Sequence, residues 1–320
     1  MGFHRTGGGG RWGAPGDTGA RGWDDEGVRH LYRCPLRWAD LDLLGHINNV
    51  VYVDYMQEAR VDMLRLHAPD SRAADLAEGV VVVRHEVTYL APLHYRAEPV
   101  SIECWVTEIR AASFTMAYEI FDETPEGRVV YLRATTLLTP YVFADERPRR
   151  LRPEEREVLT GFLEPAEPRE RPRWSQGIGS HENDHLQPTA VRFSDVDVYG
   201  HVNNVEYFTY LQEARIPMMT RLATLAPGAE KFRMVVAQTD VDYLRPMLLR
   251  PEAYTAASRL VRVGTKSVAI ETEIRSSDDT DSEVHARGLV VMVFFDTDTQ
   301  RSVAPPESLR ELMRSLVVQD

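Results

Sequence analysis

The sequence predicts an α+β protein built twice in tandem, each copy an antiparallel β-sheet packed on one long helix. Three observations carry that prediction. A 24-residue segment occurs twice, an apolar stripe at helical spacing runs through and beyond each occurrence, and about four strand-like runs follow each stripe.

The repeated segment is RWADLDLLGHINNVVYVDYMQEAR at 37–60 and RFSDVDVYGHVNNVEYFTYLQEAR at 192–215, a displacement of 155 with 14 of 24 positions identical. Similarity resumes at Tyr89-Leu90-Ala91-Pro92 against Tyr243-Leu244-Arg245-Pro246, and the order of apolar runs then matches to Val142 and Phe295. Internal similarity on this scale is a duplicated domain. A length of 320 residues agrees, being twice the commonest domain size.

Each element has its own signal. A strand is expected at 30–38. A helix is expected from near Asn48-Asn49, because Tyr52, Tyr55, Met56, Ala59, Met63 and Leu66 recur at steps of three and four. Tyr207, Tyr210, Leu211, Ala214, Met218 and Leu222 repeat the stripe, and Pro217 is expected to kink that helix or end its first part by removing an N–H. The runs at 80–90, 100–109, 113–122 and 129–143 are rich in β-branched and aromatic residues and read as strands. Short helices are expected at 153–163 and 306–316.

The expected division is a disordered tail at 1–28, a first domain at 29–165, a linker at 166–186 and a second domain at 187–320. The tail is rich in Gly and polar residues and lacks the apolar run of a signal peptide. The stretch 145–186 is dominated by Pro, Arg, Glu and Gly, too polar to bury a core by itself. It reads as a tether long enough to wrap one domain around the other, with a lid or partner-binding role as the other reading.

Composition narrows the function. With 43% apolar and 27% charged residues the chain reads as soluble and globular, and no stretch approaches the roughly 18 to 20 apolar residues of a membrane helix. Two cysteines, Cys34 and Cys104, provide neither a disulfide framework nor a four-thiolate metal site, which fits a reducing cytoplasm. The net charge of −12 opposes the phosphate attraction on which nucleic-acid binding relies, so nucleic acid is not an expected partner.

The chemistry is concentrated in the repeat. Asp40, Asp42, Gly45, His46, Asn48 and Asn49 stand directly ahead of a helix, and Asp195, Asp197, Gly200, His201, Asn203 and Asn204 repeat them. The free N–H groups and dipole of a helix N-terminus favour an oxygen that develops negative charge. A carboxylate beside it can attack a carbonyl or activate water, with His and Asn orienting the water or donating a hydrogen bond. Acyl transfer is the reaction class these parts suit. Other roles stand beside that one. One Asn of each pair can cap the helix, Gly45 and Gly200 can supply a positive-φ turn, and Asp40 and Asp195 can hydrogen-bond the turn. Tyr52, Tyr55, Tyr207 and Tyr210 are core residues first and pocket lining second. Asp42, His46 and Asp40 together are also conceivable metal ligands.

The two segments resemble the signature of hot-dog thioesterases of the 4-hydroxybenzoyl-CoA thioesterase type and of plant acyl-carrier-protein thioesterases. The shared pattern D-x-x-x-H-[VI]-N-N-x-x-Y stands here as Asp42, His46, Asn48, Asn49 and Tyr52, and again as Asp197, His201, Asn203, Asn204 and Tyr207. It continues into Glu58-Ala59-Arg60 and Glu213-Ala214-Arg215. The resemblance implies two hot-dog domains, each a sheet wrapped around a central helix, joined edge to edge as an intrachain pseudo-dimer that can assemble further. It implies hydrolysis of acyl-CoA or acyl-ACP thioesters with no metal or redox cofactor. It assigns Asp42 and Asp197 as nucleophile or general base, supported by His46, His201, Asn48 and Asn203. Asn49, Tyr52, Asn204 and Tyr207 then contact substrate. Gly264-Thr265-Lys266-Ser267 falls where related enzymes contact CoA, making Lys266 a further candidate. Aromatic acyl-CoA enzymes often lack the His and Asn present here, which leans the analogy toward aliphatic acyl groups. A sensor that binds acyl thioesters without turnover, and a hydratase or dehydratase acting on enoyl-CoA, are the alternatives on the same fold.

Overall fold

The computed structural model describes residues 29–67, 79–166, 178–225, 233–296, 299 and 301–317. The expected tail at 1–28 and most of the expected linker lie outside the described residues.

The first half runs β1 (His30–Cys34), α1 (Val51–His67), β2 (Val80–Tyr89), β3 (Val100–Ile109), β4 (Phe114–Thr124), β5 (Gly127–Val142), β6 (Arg147–Pro148) and α2 (Pro153–Thr160). The second runs β7 (His185–Thr189), α3 (Glu206–Leu225), β8 (Arg233–Tyr243), β9 (Tyr254–Val263), β10 (Ser267–Arg275), β11 (Val284–Asp296), β12 (Arg301–Ser302) and α4 (Glu307–Leu316). These are two tandem hot-dog domains. The ten long strands form one antiparallel sheet in the order β1-β3-β4-β5-β2-β8-β11-β10-β9-β7, so each half contributes five strands in mirror order.

The sheet is continuous because β2 and β8 pair with each other. Their register sets Arg84 against Asp242, His85 against Val241, and Glu86 against Asp240. Aligning the halves on Tyr89 and Tyr243 makes Glu86 and Asp240 counterparts, so the pseudo-twofold axis passes through that pair. An ion pair between Arg84 and Asp242 ties the two strands together beside the axis.

Each half of the sheet closes around its helix. Helix α1 buries Tyr52, Val53, Tyr55, Met56, Ala59, Arg60, Met63 and Leu64, and α3 buries Tyr207, Phe208, Tyr210, Leu211, Ala214, Arg215, Met218 and Leu222. Leu66, expected in the stripe, is 63% exposed, and Leu64 takes the inward position instead. The helix begins at Val51 because Asn48 is still in the preceding turn, where its carbonyl accepts from Val51 N–H at 3.0 Å. Pro217 lies inside α3 and does not end it, since the sheet holds both sides of the proline through Ala214 and Met218. The strand expected at 30–38 stops at Cys34, before Pro35 and a one-turn helix at Trp38–Asp40. Proline cannot donate to a ladder.

The second half has one unusually close helix-to-sheet approach. A Cβ on Gly288 of β11 would lie 2.5 Å from Leu211 Cδ1. Gly288→Val should therefore lower stability by about 1–3 kcal/mol through overpacking. A denaturant melt with an unchanged midpoint would show that α3 is not packed this tightly.

Candidate active site between the two halves

Both repeated motifs fold into the same tight turn. Asp197 N–H donates to the His201 carbonyl at 2.8 Å and Gly200 N–H to the Asp197 carbonyl at 3.1 Å. The first motif copies this, with Asp42 N–H to the His46 carbonyl at 2.7 Å and Gly45 N–H to the Asp42 carbonyl at 3.1 Å. Gly200 and Gly45 sit at φ 84° and 77°, a region that a side chain would strain.

The turn also fixes the carboxylates. Asp197 Oδ1 accepts from Tyr199 N–H at 2.9 Å and His201 N–H at 3.2 Å, while Asp42 Oδ1 accepts from Leu44 N–H at 2.8 Å and His46 N–H at 3.0 Å. One oxygen is thereby held by the backbone, while the other, Oδ2, has no hydrogen-bond partner among the described residues. Asp195 and Asp40 have a different task. Their carbonyls accept from Asn203 N–H and Asn48 N–H, both at 2.8 Å, and their Oδ2 atoms accept from Tyr210 and Tyr55 hydroxyls at 2.7 and 2.5 Å. These acids anchor each motif to its own helix, and burial with the neighbouring acid pushes both tyrosine hydroxyls well up.

The paired asparagines divide their roles. Asn203 Oδ1 and Asn48 Oδ1 accept from Val205 N–H at 3.5 Å and Val50 N–H at 3.4 Å, long capping contacts at the head of each helix. Asn204 and Asn49 reach into the opposite half. Asn204 Oδ1 meets His85 Nε2 of β2 at 3.1 Å and its Nδ2 donates to Gln57 Oε1 of α1 at 3.0 Å. Asn49 Oδ1 accepts from Arg215 Nη2 of α3 at 3.3 Å. Burial pushes that guanidinium down to about 10.

A cavity of about 670 Å³ opens at the seam between the halves. The second motif supplies Asp197, His201, Asn203, Asn204 and Tyr207, and the first half supplies Gln57, Arg60, Val61 and the valines at 80–83. Phe143 of the first half stacks on Tyr199 of the second-half turn at 3.6 Å between centroids and 3° between planes. Asp42, His46, Asn48 and Tyr52 form the equivalent turn across the pseudo-twofold axis and do not line this cavity. His46 packs there against His94 at 4.8 Å, where the second half has Leu248, and burial lowers the affinity of His46 for a proton.

Lys266 stands in the β9–β10 hairpin, where its Nζ donates to the Ser302 carbonyl at 2.8 Å, and it does not line the cavity. Both cysteines are buried, and burial pushes the Cys34 thiol up to about 12, which removes it as a nucleophile. Among the described residues no group of three or more His, Cys, Asp or Glu is placed to hold a metal, and no helix is long and apolar enough to cross a membrane. His85, Gln57 and Phe143 escaped the sequence reading because each serves a motif in the other half. The one sequence signal was His85 itself, a polar ring in a valine-rich strand where the repeat has Thr239.

Comparison with known proteins agrees with this architecture. Residues 36–159 and 191–313 match the sequence model of the thioesterase-like superfamily. The long-chain acyl-CoA thioesterase FadM of Escherichia coli strain K12 is 30% identical over 128 residues, which is 40% of this chain and 95% of that protein. The 12:0-ACP thioesterase from Umbellularia californica superposes with a TM-score of 0.65 at 14% identity, covering 84% of this chain and 95% of its own. An acyl-ACP thioesterase from Bacteroides thetaiotaomicron VPI-5482 superposes at 0.61 and 14% identity, covering 83% and 98%. At such identities the superpositions establish the fold.

The buried His85 makes stability sensitive to acid. Burial, with Arg60 nearby, pushes its imidazole down from 6.5 to about 3, so between those values the unfolded chain binds a proton that the folded chain does not. Stability should accordingly fall as the pH drops through that window, by up to about 1.4 kcal/mol per pH unit from this group. Melts from pH 7 to 4 check this, and His85→Thr should flatten the slope.

Proposed function

The chain belongs to the thioesterase-like superfamily, and from that premise we propose that it hydrolyses acyl thioesters, acyl-CoA first and acyl-ACP second, at its second motif. The observation that carries this reading is the cavity that holds Asp197, His201, Asn203 and Asn204 at the seam of the halves. The relatedness to a long-chain acyl-CoA thioesterase supports the CoA ester, and the fold shared with acyl-ACP thioesterases supports the carrier-protein ester.

The chemistry follows from which atoms the turn leaves unused. Asp197 Oδ2 takes a proton from a water molecule, whose oxygen attacks the thioester carbonyl carbon. The carbonyl oxygen gains negative charge and is met by the Asn203 side-chain N–H and the amides at the head of α3. The carbon–sulfur bond then breaks, the thiolate leaves and takes up the proton, and the free acid remains. His201, at the end of the same turn, orients the water. Val61 and the valines at 80–83 offer the acyl chain an apolar wall. The first motif holds the same turn, but its carboxylate lies outside this cavity, so turnover is assigned to the second.

Asp197→Asn should lower kcat for thiol release about 100-fold or more, while Asp42→Asn keeps most of it. A panel of short, long, branched and aromatic acyl-CoAs, repeated with acyl-ACP, provides the assay. Loss in Asp42→Asn alone would move turnover to the first motif. Tight retention of acyl-CoA with no thiol released would make the chain a sensor, and loss of an enoyl double bond with the thioester intact would make it a hydratase.

A further inference from the structure

We propose that His85 of the first half is a positioning residue for the second-half site, holding Asn203 through Asn204 so that the Asn203 side-chain N–H faces the cavity. The inference deepens the hydrolytic reading above and rests on it for its kinetic consequences. Its structural part stands on a chain of hydrogen bonds whose directions are all determined.

The direction is set at the backbone and propagates outward. Val205 N–H can only donate, so the Asn203 atom facing it is Oδ1, at 3.5 Å. Asn204 lies 3.0 Å from that same oxygen and therefore presents Nδ2. The second hydrogen of Asn204 Nδ2 goes to Gln57 Oε1 at 3.0 Å. The opposite side of the Asn204 amide is consequently oxygen, and it faces His85 Nε2 at 3.1 Å, which must carry the imidazole proton. His85 Nδ1 then accepts from the Thr136 hydroxyl at 2.8 Å. Thr136 sits opposite His85 on β5, and His85 is fully buried against Phe208 and Tyr243, with ring centroids at 5.7 and 5.9 Å. The buried ring is thus held at both nitrogens. Asn203 Oδ1 thus accepts twice on the protein side, leaving Nδ2 as its cavity-side donor.

The first motif supplies an internal control. Thr239 replaces His85 and Val290 replaces Thr136 at the matching ladder position, so the histidine–threonine link is not repeated there. Asn49 Oδ1 is held instead by Arg215, and among the described residues Asn48 Oδ1 keeps only its 3.4 Å contact with Val50 N–H. Two nearly identical motifs therefore differ in how firmly their catalytic asparagine is oriented, and the difference originates in a strand of the opposite half.

The test compares wild type with His85→Leu, His85→Gln and Asn203→Ala, alone and combined. We expect His85→Leu to lower kcat about tenfold with KM within twofold, and His85→Gln, which keeps an N–H donor, to recover much of it. In the Asn203→Ala background, His85→Leu should have no further effect on kcat, because its influence passes through that side chain. Losses that multiply, or an unchanged kcat in folded His85→Leu, would overturn the proposal. Side-chain amide hydrogen exchange by NMR separates the two readings. If wild type releases no thiol from any substrate, the hydrolytic reading fails, while slow exchange of both Asn204 amide hydrogens that becomes fast in His85→Leu upholds the relay. Equal exchange in both proteins overturns the relay whatever the activity.

Discussion

The antiparallel pairing of β2 with β8 is the constraint on which the rest of the molecule depends. Each half alone would present an open sheet edge, an unsatisfied row of N–H and C=O groups that invites foreign strands. Joining the edges satisfies both rows within the chain. The join also sets two carboxylates, Glu86 and Asp240, opposite each other at the axis, an arrangement that costs free energy unless donors offset it. The Thr135 hydroxyl at 3.1 Å from Glu86 and the Gln238 amide at 2.6 Å from Asp240 provide those donors, and the Arg84–Asp242 ion pair adds a cation beside them.

From the same pairing comes the site. A strand's side chains alternate between faces, so Arg84 and Glu86 on one face leave His85 on the other, toward the helices. There it meets the Asn204 amide of the second motif. Helix α1 runs along the same seam and contributes Gln57 and Arg60 to the cavity wall. A slip of one residue in the β2–β8 register would turn His85 to the outer face and separate the motif from its support. Fold, oligomer-like interface and the geometry of the candidate site are therefore one structural event.

Tandem duplication frees the two sites to diverge. In a symmetric pair, any residue at the seam appears twice and serves both sites alike. Here one chain carries both halves, so a substitution at one seam position affects a single site. His85 against Thr239 and Phe143 opposite Tyr199 are products of that freedom. The repeated Asp-to-Asn turn stays nearly constant, because it is stabilised by its own backbone bonds and positive-φ glycine, while its surroundings change.

The sequence by itself determined the duplication, the helix-then-strands order of each half and the positions of both turns, since all three depend on residues close together in the chain. The spacing of apolar residues located α1 and α3, and β-branched runs located β2 through β5, because periodicity reports which face is buried. Helix ends were less legible. Asn48 delayed the start of α1 by capping it, and Pro217 was absorbed because packing on the sheet outweighs a local propensity. Tertiary structure alone decided that Asp40 and Asp195 bind helix tyrosines, that Lys266 stands away from the cavity, and that the second motif has an open pocket. It alone brought His85, Gln57 and Phe143 to Asn204 and Tyr199, residues more than fifty positions away. Such contacts leave no periodic trace in a sequence, because they depend on which strand edges meet and in what register.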